Sequence, residues 1–163
     1  MSEISVRRVG PADWQVVRDL RLRALRDAPA AFESRYEDEH GRPEAQWREW
    51  LDRPTGVSVV ASLDGEAAGL AGGYVEDAGH AELVSMWVAP QARGHGVGAA
   101  LVDEVIRWAA EQAVHEVRLW VTRGNDGAER LYTRLGFVRT GQVQPLPPGH
   151  PCADEVGMSR QLP

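Results

Sequence analysis

The stretch Val88-Ala89-Pro90-Gln91-Ala92-Arg93-Gly94-His95-Gly96-Val97-Gly98-Ala99-Ala100-Leu101 leaves this chain few ways to fold. Its pattern predicts a buried strand, a glycine-rich turn and then a helix whose apolar positions continue through Val105 and Trp108. Glycines at 94, 96 and 98 let the backbone approach a ligand closely. The free N–H groups at a helix start and the helix dipole both favour an anion there, so a phosphate-bearing ligand is expected.

Two common phosphate-binding turns do not fit. A Rossmann turn needs G-x-G-x-x-G in an early βαβ unit with an acidic residue about 20 positions later. Here the glycines alternate and lie more than halfway along the chain. A Walker loop needs Gly-Lys-Ser/Thr, and the chain has Gly98-Ala99-Ala100. What does fit is R-x-x-G-x-G, supplied by Arg93, Gly96 and Gly98, which resembles the acetyl-CoA loop of the GNAT N-acetyltransferases. A second block, Asn125-Asp126-Gly127-Ala128-Glu129-Arg130-Leu131-Tyr132-Thr133-Arg134-Leu135-Gly136-Phe137, reads N-x-x-A-x-x-L-Y-x-x-x-G-F and is similar to the family's second motif.

The rest of the chain predicts the element order β-α-α-β-β-β-α-β-α-β-β of an α/β (α+β) GNAT fold with a mixed central sheet. Glu3 to Val9 alternates as a strand, and a helix holding Val16, Val17, Leu20, Leu22 and Leu25 follows and stops at Ala28-Pro29. A second helix covers Glu44 to Leu51, with Trp47, Trp50 and Leu51 at core-packing spacing. Val57 to Leu63 and Ala67 to Val75 read as a hairpin about Asp64-Gly65, and His80 to Val88 as the strand feeding the glycine turn. After the helix Val97 to Ala113 come a strand Glu116 to Val121, the second-motif helix, and strands Phe137 to Val143 and Glu155 to Ser159. Gln144 to Ala153, with four prolines, reads as one long exposed loop.

A chain of 163 residues, 43% hydrophobic, suits one domain, residues 1–163. It shows no signal-peptide h-region and no long apolar run, which predicts a soluble cytoplasmic protein without a membrane partner. The single Cys152 cannot form an internal disulfide, and neither it nor the histidines have metal-ligand spacing, so no metal is expected. A net charge of −6 argues against nucleic acid and suits a cationic acceptor. Positive charge is nonetheless concentrated in and beside the motifs, at Arg93, Arg123, Arg130 and Arg134.

The resemblance implies acetyl transfer from acetyl-CoA to an amine by a bacterial-type enzyme, with homodimers common in the family. An alkyl amine with a pKa of about 10.4 is neutral in only about one molecule in 2,500 at pH 7, so a proton acceptor helps. Glu82, eleven residues before Arg93, has the spacing of the general-base glutamate in the histone-acetylating branch of the family. Tyr132 occupies the tyrosine that in the family commonly faces the CoA sulfur. Its hydroxyl would stabilise the departing thiolate, full proton transfer being uphill by roughly 2 kcal/mol.

The cofactor contacts implied are the backbone of Met86 and Val88 against pantetheine and the turn Arg93, Gly94, His95, Gly96, Val97 and Gly98 against phosphates. Asn125 serves as cofactor contact, helix cap or both, and Arg130 as a nearby positive charge. The His95 side chain has no special part. The acceptor is left open among protein N-termini, lysine, polyamines, aminoglycosides and amino acids, with a non-catalytic acyl-CoA sensor as the alternative function.

Overall fold

The computed structural model describes residues 2–163, and its organising element is a seven-stranded sheet in the order β1-β2-β3-β4-β5-β7-β6. The strands are β1 (Ile4–Val9), β2 (Gly56–Leu63), β3 (Glu66–Asp77), β4 (His80–Val88), β5 (Glu116–Thr122), β6 (Val138–Pro145) and β7 (Asp154–Gln161). Neighbours run antiparallel except β4 and β5, which are parallel. The parallel pair needs a crossover, and α4 (Val97–Glu111) supplies it. The β2–β3 hairpin turns at Asp64 and Gly65, both at positive φ, as expected of an Asp-Gly turn.

Helices cover both faces. On one, α4 buries Val97, Leu101, Val105 and Ala109, a single stripe at four-residue spacing, with α5 (Asp126–Arg134) beside it. Gly69 and Gly73 of β3 permit this approach, because a side chain at Gly73 would come within 2.9 Å of Val105 and one at Gly69 within 3.0 Å of Leu101. On the other face, α1 (Trp14–Asp27), α2 (Tyr36–Glu39) and α3 (Glu44–Leu51) enclose a second core around Leu20, Leu25, Trp47 and Leu70. No helix among the described residues is long and apolar enough to cross a membrane.

The observed order differs from the expected one by α2, a single turn too short to show a period. Its Glu39 is 2% exposed and paired with Arg21 of α1 through two 3.0 Å hydrogen bonds. Burial alone would raise the Glu39 pKa, but hydrogen bonds and charge from Arg21 outweigh it and hold the carboxyl below its usual range. The segment read as one exposed loop is a loop over residues 146–153, most of it exposed, but it is anchored at both ends of its length. Pro145 ends β6, Leu146 is buried, and the remainder folds back onto Ala30 to Phe32. There His150 Nε2 lies 2.5 Å from the Phe32 carbonyl, and its Nδ1 accepts a hydrogen bond from the Cys152 amide at 3.0 Å.

Candidate active site

The sheet opens where β4 and β5 part. Their ladder holds only three pairs, ending at Glu82 opposite Arg118, after which the facing edges have no strand partner. Near the same point β4 carries an irregularity. Ser85 has φ +57°, and the β3 register shifts between Leu70 and Gly72. Such a bulge reverses which side chains face each side of the sheet. Leu83 and Met86 both pack toward α4, whereas Trp87 packs in the core under α1. A cleft of about 770 Å³ fills the gap between the diverging strands.

At the mouth of this cleft the glycine turn presents its backbone. Pro90–Ala92 forms one 3-10 turn, Gly94 and Gly96 both take positive φ, and α4 begins at Val97. The first amide to find a carbonyl is that of Ala100, bonded to Gly96 at 3.1 Å. Among the described residues, the amides of residues 94 to 99 have no hydrogen-bond partner. Six consecutive free donors at the positive end of a 15-residue helix make a site for a phosphate or diphosphate. Gly98 lies deeper, where a Cβ would come 3.0 Å from Leu131 and 3.2 Å from Met86, so glycine keeps the floor of the cleft low.

Arg93 does not offer a free charge. Its Nε donates to the Val88 carbonyl at 3.0 Å, and a terminal nitrogen donates to Asp27 at 2.6 Å. Asp27 also accepts from the Trp87 indole at 3.0 Å, and these donors, Trp87 first, hold its carboxyl below the usual range. Arg93 lines the cleft while its side chain fastens the end of β4 to the end of α1. Arg123 is likewise engaged, with Asp154 at 2.5 Å. Neither His95 nor Arg130 lines the cleft, whereas Arg134, one turn beyond Arg130, does.

From the other wall, α5 contributes Asn125 and Tyr132, which share the face turned to the cleft. The Asn125 side chain caps the helix by accepting from the Ala128 amide at 3.3 Å. The Tyr132 ring is buried edge-on against Phe137, and burial pushes its phenol above the ordinary range. Its hydroxyl has no hydrogen-bond partner among the described residues, yet no fully buried side-chain polar atom there goes unpaired. The hydroxyl is therefore open to the cleft, able to donate to whatever lies in it.

Glu82 occupies the vertex of the opening. It lies on the opposite face from Ala81 and Leu83, is 7% exposed, and accepts a 3.0 Å hydrogen bond from Tyr74, its direct partner across the β3 ladder. Burial, and then the neighbouring carboxyl of Glu76, push its pKa up to about 7. A smaller cavity of about 100 Å³, lined by Trp50, Arg53 and Tyr74, lies on this face and shares Val84 and Ser85 with the large cleft. Sequence reasoning missed Asp27, Tyr74 and Ser85. Only Tyr74 left a trace, as a lone aromatic in a glycine-rich strand.

Residues 17–137 match the Acetyltransferase (GNAT) family. An uncharacterised N-acetyltransferase of Methanocaldococcus jannaschii is 29% identical over 111 residues, covering 61% of this chain and 49% of that protein. The chain thus spans about half the length of that relative. A GCN5-related N-acetyltransferase from Kribbella flavida superposes with a TM-score of 0.76 at 27% identity, over 98% of each chain. The structure of yncA from Salmonella typhimurium, solved with its cofactor acetyl-CoA, has the same fold, with a TM-score of 0.81 at 20% identity, over 99% of this chain and 95% of that one.

Proposed function

The chain belongs to the GNAT acetyltransferase family, and on that premise we propose that it transfers an acetyl group from acetyl-CoA directly to a primary amine. The observation that carries this reading is the row of free amides from Gly94 to Ala99 at the mouth of the cleft, which suits the diphosphate of CoA. The unpaired edge of β4 around Met86 and Val88 would hydrogen-bond the pantetheine arm as an added strand does. Tyr132 donates a hydrogen bond to the departing sulfur and so stabilises its negative charge.

Glu82 is the proton acceptor for the amine. Its raised pKa is near the working pH, where a general base both holds its charge and takes a proton readily. The smaller cavity is lined by Trp50 and by Tyr74, the hydrogen-bond partner of Glu82, and would give the acceptor an approach from the face opposite α4. A cytoplasmic location goes with this reading, because acetyl-CoA is supplied there.

Calorimetric titration with acetyl-CoA, followed by thiol-release assays across peptides, polyamines, amino acids and aminoglycosides, tests it. Binding together with release in one amine class supports the transferase and names its acceptor. Binding without release across the panel makes the protein an acyl-CoA sensor, and absence of binding overturns both.

A further inference from the structure

A carboxylate as buried as Glu82 can receive a proton, but it cannot repeat the cycle unless the proton leaves. Solvent does not reach it freely, and the face around it is crowded with charge. From β3 come Tyr74 and Glu76, from β4 His80, from β5 Arg118, and from β7 Glu155, with Arg53 near Tyr74. Arg118 pairs with Glu82 in the strand ladder, yet its guanidinium is directed to Glu116 at 2.9 Å and to His80 at 3.3 Å. Glu155 accepts a 2.5 Å hydrogen bond from Gln144 and acts on Glu82 only by its charge.

Tyr74 hydrogen-bonds Glu82 itself, and Glu76 follows two positions along the same strand, β3. Tyr74 donates to Glu82 Oε2 at 3.0 Å, and the nearby carboxyl of Glu76 raises the Glu82 pKa. The β3–β4 register skips at Glu76, which has no partner opposite it. Its side chain is 48% exposed, so the carboxyl reaches water, and it is steadied by His80 Nε2 at 3.3 Å from Oε2. His80 Nδ1 is in turn 3.0 Å from Asp77, which fixes the imidazole beneath the bridge.

We propose that Tyr74 and Glu76 are the positioning residues for proton transfer at Glu82: Tyr74 holds the receiving carboxylate in place, and Glu76 carries the proton from it to solvent. This rests on the reading of Glu82 as proton acceptor. The acceptor ammonium gives one proton to the Glu82 carboxylate, which passes it to Glu76 and thence to water. As the C–N bond forms and the C–S bond breaks, the nitrogen's second proton ends on sulfur. An alkylammonium and an acetyl thioester thus yield an amide, a free thiol and one proton in solution.

The two residues bear on Glu82 with opposite sign, which makes a sharp test. A hydrogen-bond donor favours the charged carboxylate, whereas a neighbouring carboxylate disfavours it. Carbon-13 NMR of protein labelled at glutamate carboxyls, with the Glu82 resonance assigned by its loss in Glu82→Gln, follows the titration without any acceptor. Glu76→Gln should lower the midpoint by about one pH unit and Tyr74→Phe should raise it by about as much. Glu76→Gln should also slow turnover in dilute buffer and recover with added imidazole, at unchanged acetyl-CoA affinity. Midpoints that stay put, or that move the same way in both variants, overturn the proposal. If Glu82→Gln leaves the pH profile of turnover unaltered, the reading of Glu82 as acceptor falls and the proposal with it. If Glu82→Gln abolishes the acidic limb but neither β3 variant shifts it, the proposal alone falls.

Discussion

Tyr132 combines a core ring with a hydroxyl that the protein itself does not use, and removing one oxygen separates the two. The Tyr132→Phe variant should unfold within about 0.5 kcal/mol of wild type in urea, since no internal hydrogen bond is lost. Its turnover should fall by about a hundredfold with acetyl-CoA affinity retained, as measured by steady-state thiol release and calorimetry. Glu82 sets a second test through linkage. Its folded pKa of about 7 lies above the reference 4.5, so between these values the folded state binds more protons and stability declines as pH rises. Glu82→Gln should therefore raise the melting temperature at pH 8, by roughly 1–3 kcal/mol of stability, with the gain vanishing toward pH 4.5. Equal melting shifts at pH 5 and pH 8 would contradict the assignment. The residues of the two motifs could be read from the chain because each follows a fixed local spacing. Tyr74 and Asp27 could not, because their partners are 8 and 60 or more positions away and no local pattern records that distance.

The start of α4 shows how one element converts backbone shape into a binding site. Gly96 stands at the N-cap with φ +90°, a region that costs other residues about 1–2 kcal/mol. Gly96→Ala should lower stability by about that much in urea unfolding, and by re-aiming the amides that follow should weaken acetyl-CoA about tenfold by calorimetry. A wild-type affinity in this variant would mean that the turn does not hold the diphosphate. The boundaries of β4 and α3 agree with the sequence expectation, His80–Val88 and Glu44–Leu51, because apolar periodicity and Gly/Pro punctuation coincide there. The loop after β6 was legible as a loop, but its docking was not. Prolines signal an irregular backbone but not where it lies, and its docking depends on carbonyls at Ala30 and Phe32.

Across the whole molecule, α1 and α2 are tied to the sheet through Arg21. Its guanidinium pairs with Glu39 of α2, lies 5.1 Å from the Phe32 ring centroid, and donates to the Ser85 hydroxyl at 3.2 Å. Breaking one side of a buried pair leaves the other charge uncompensated, so Glu39→Ala should cost about 3–5 kcal/mol in urea unfolding. Replacing both partners by apolar residues of similar volume should recover most of that loss, which a simple packing defect at Glu39 would not allow. The sequence by itself determined the order of the strands and long helices, the glycine turn and the helix face carrying Asn125 and Tyr132, since all of these follow from periodicities and caps within a few residues of one another. Tertiary structure alone decided that β4 and β5 part just beyond Glu82, that Arg93 is bound to Asp27, and that Tyr74 donates to the buried Glu82 carboxylate. Those outcomes depend on sheet register and burial, which arise only when distant segments are pressed together and water is excluded between them.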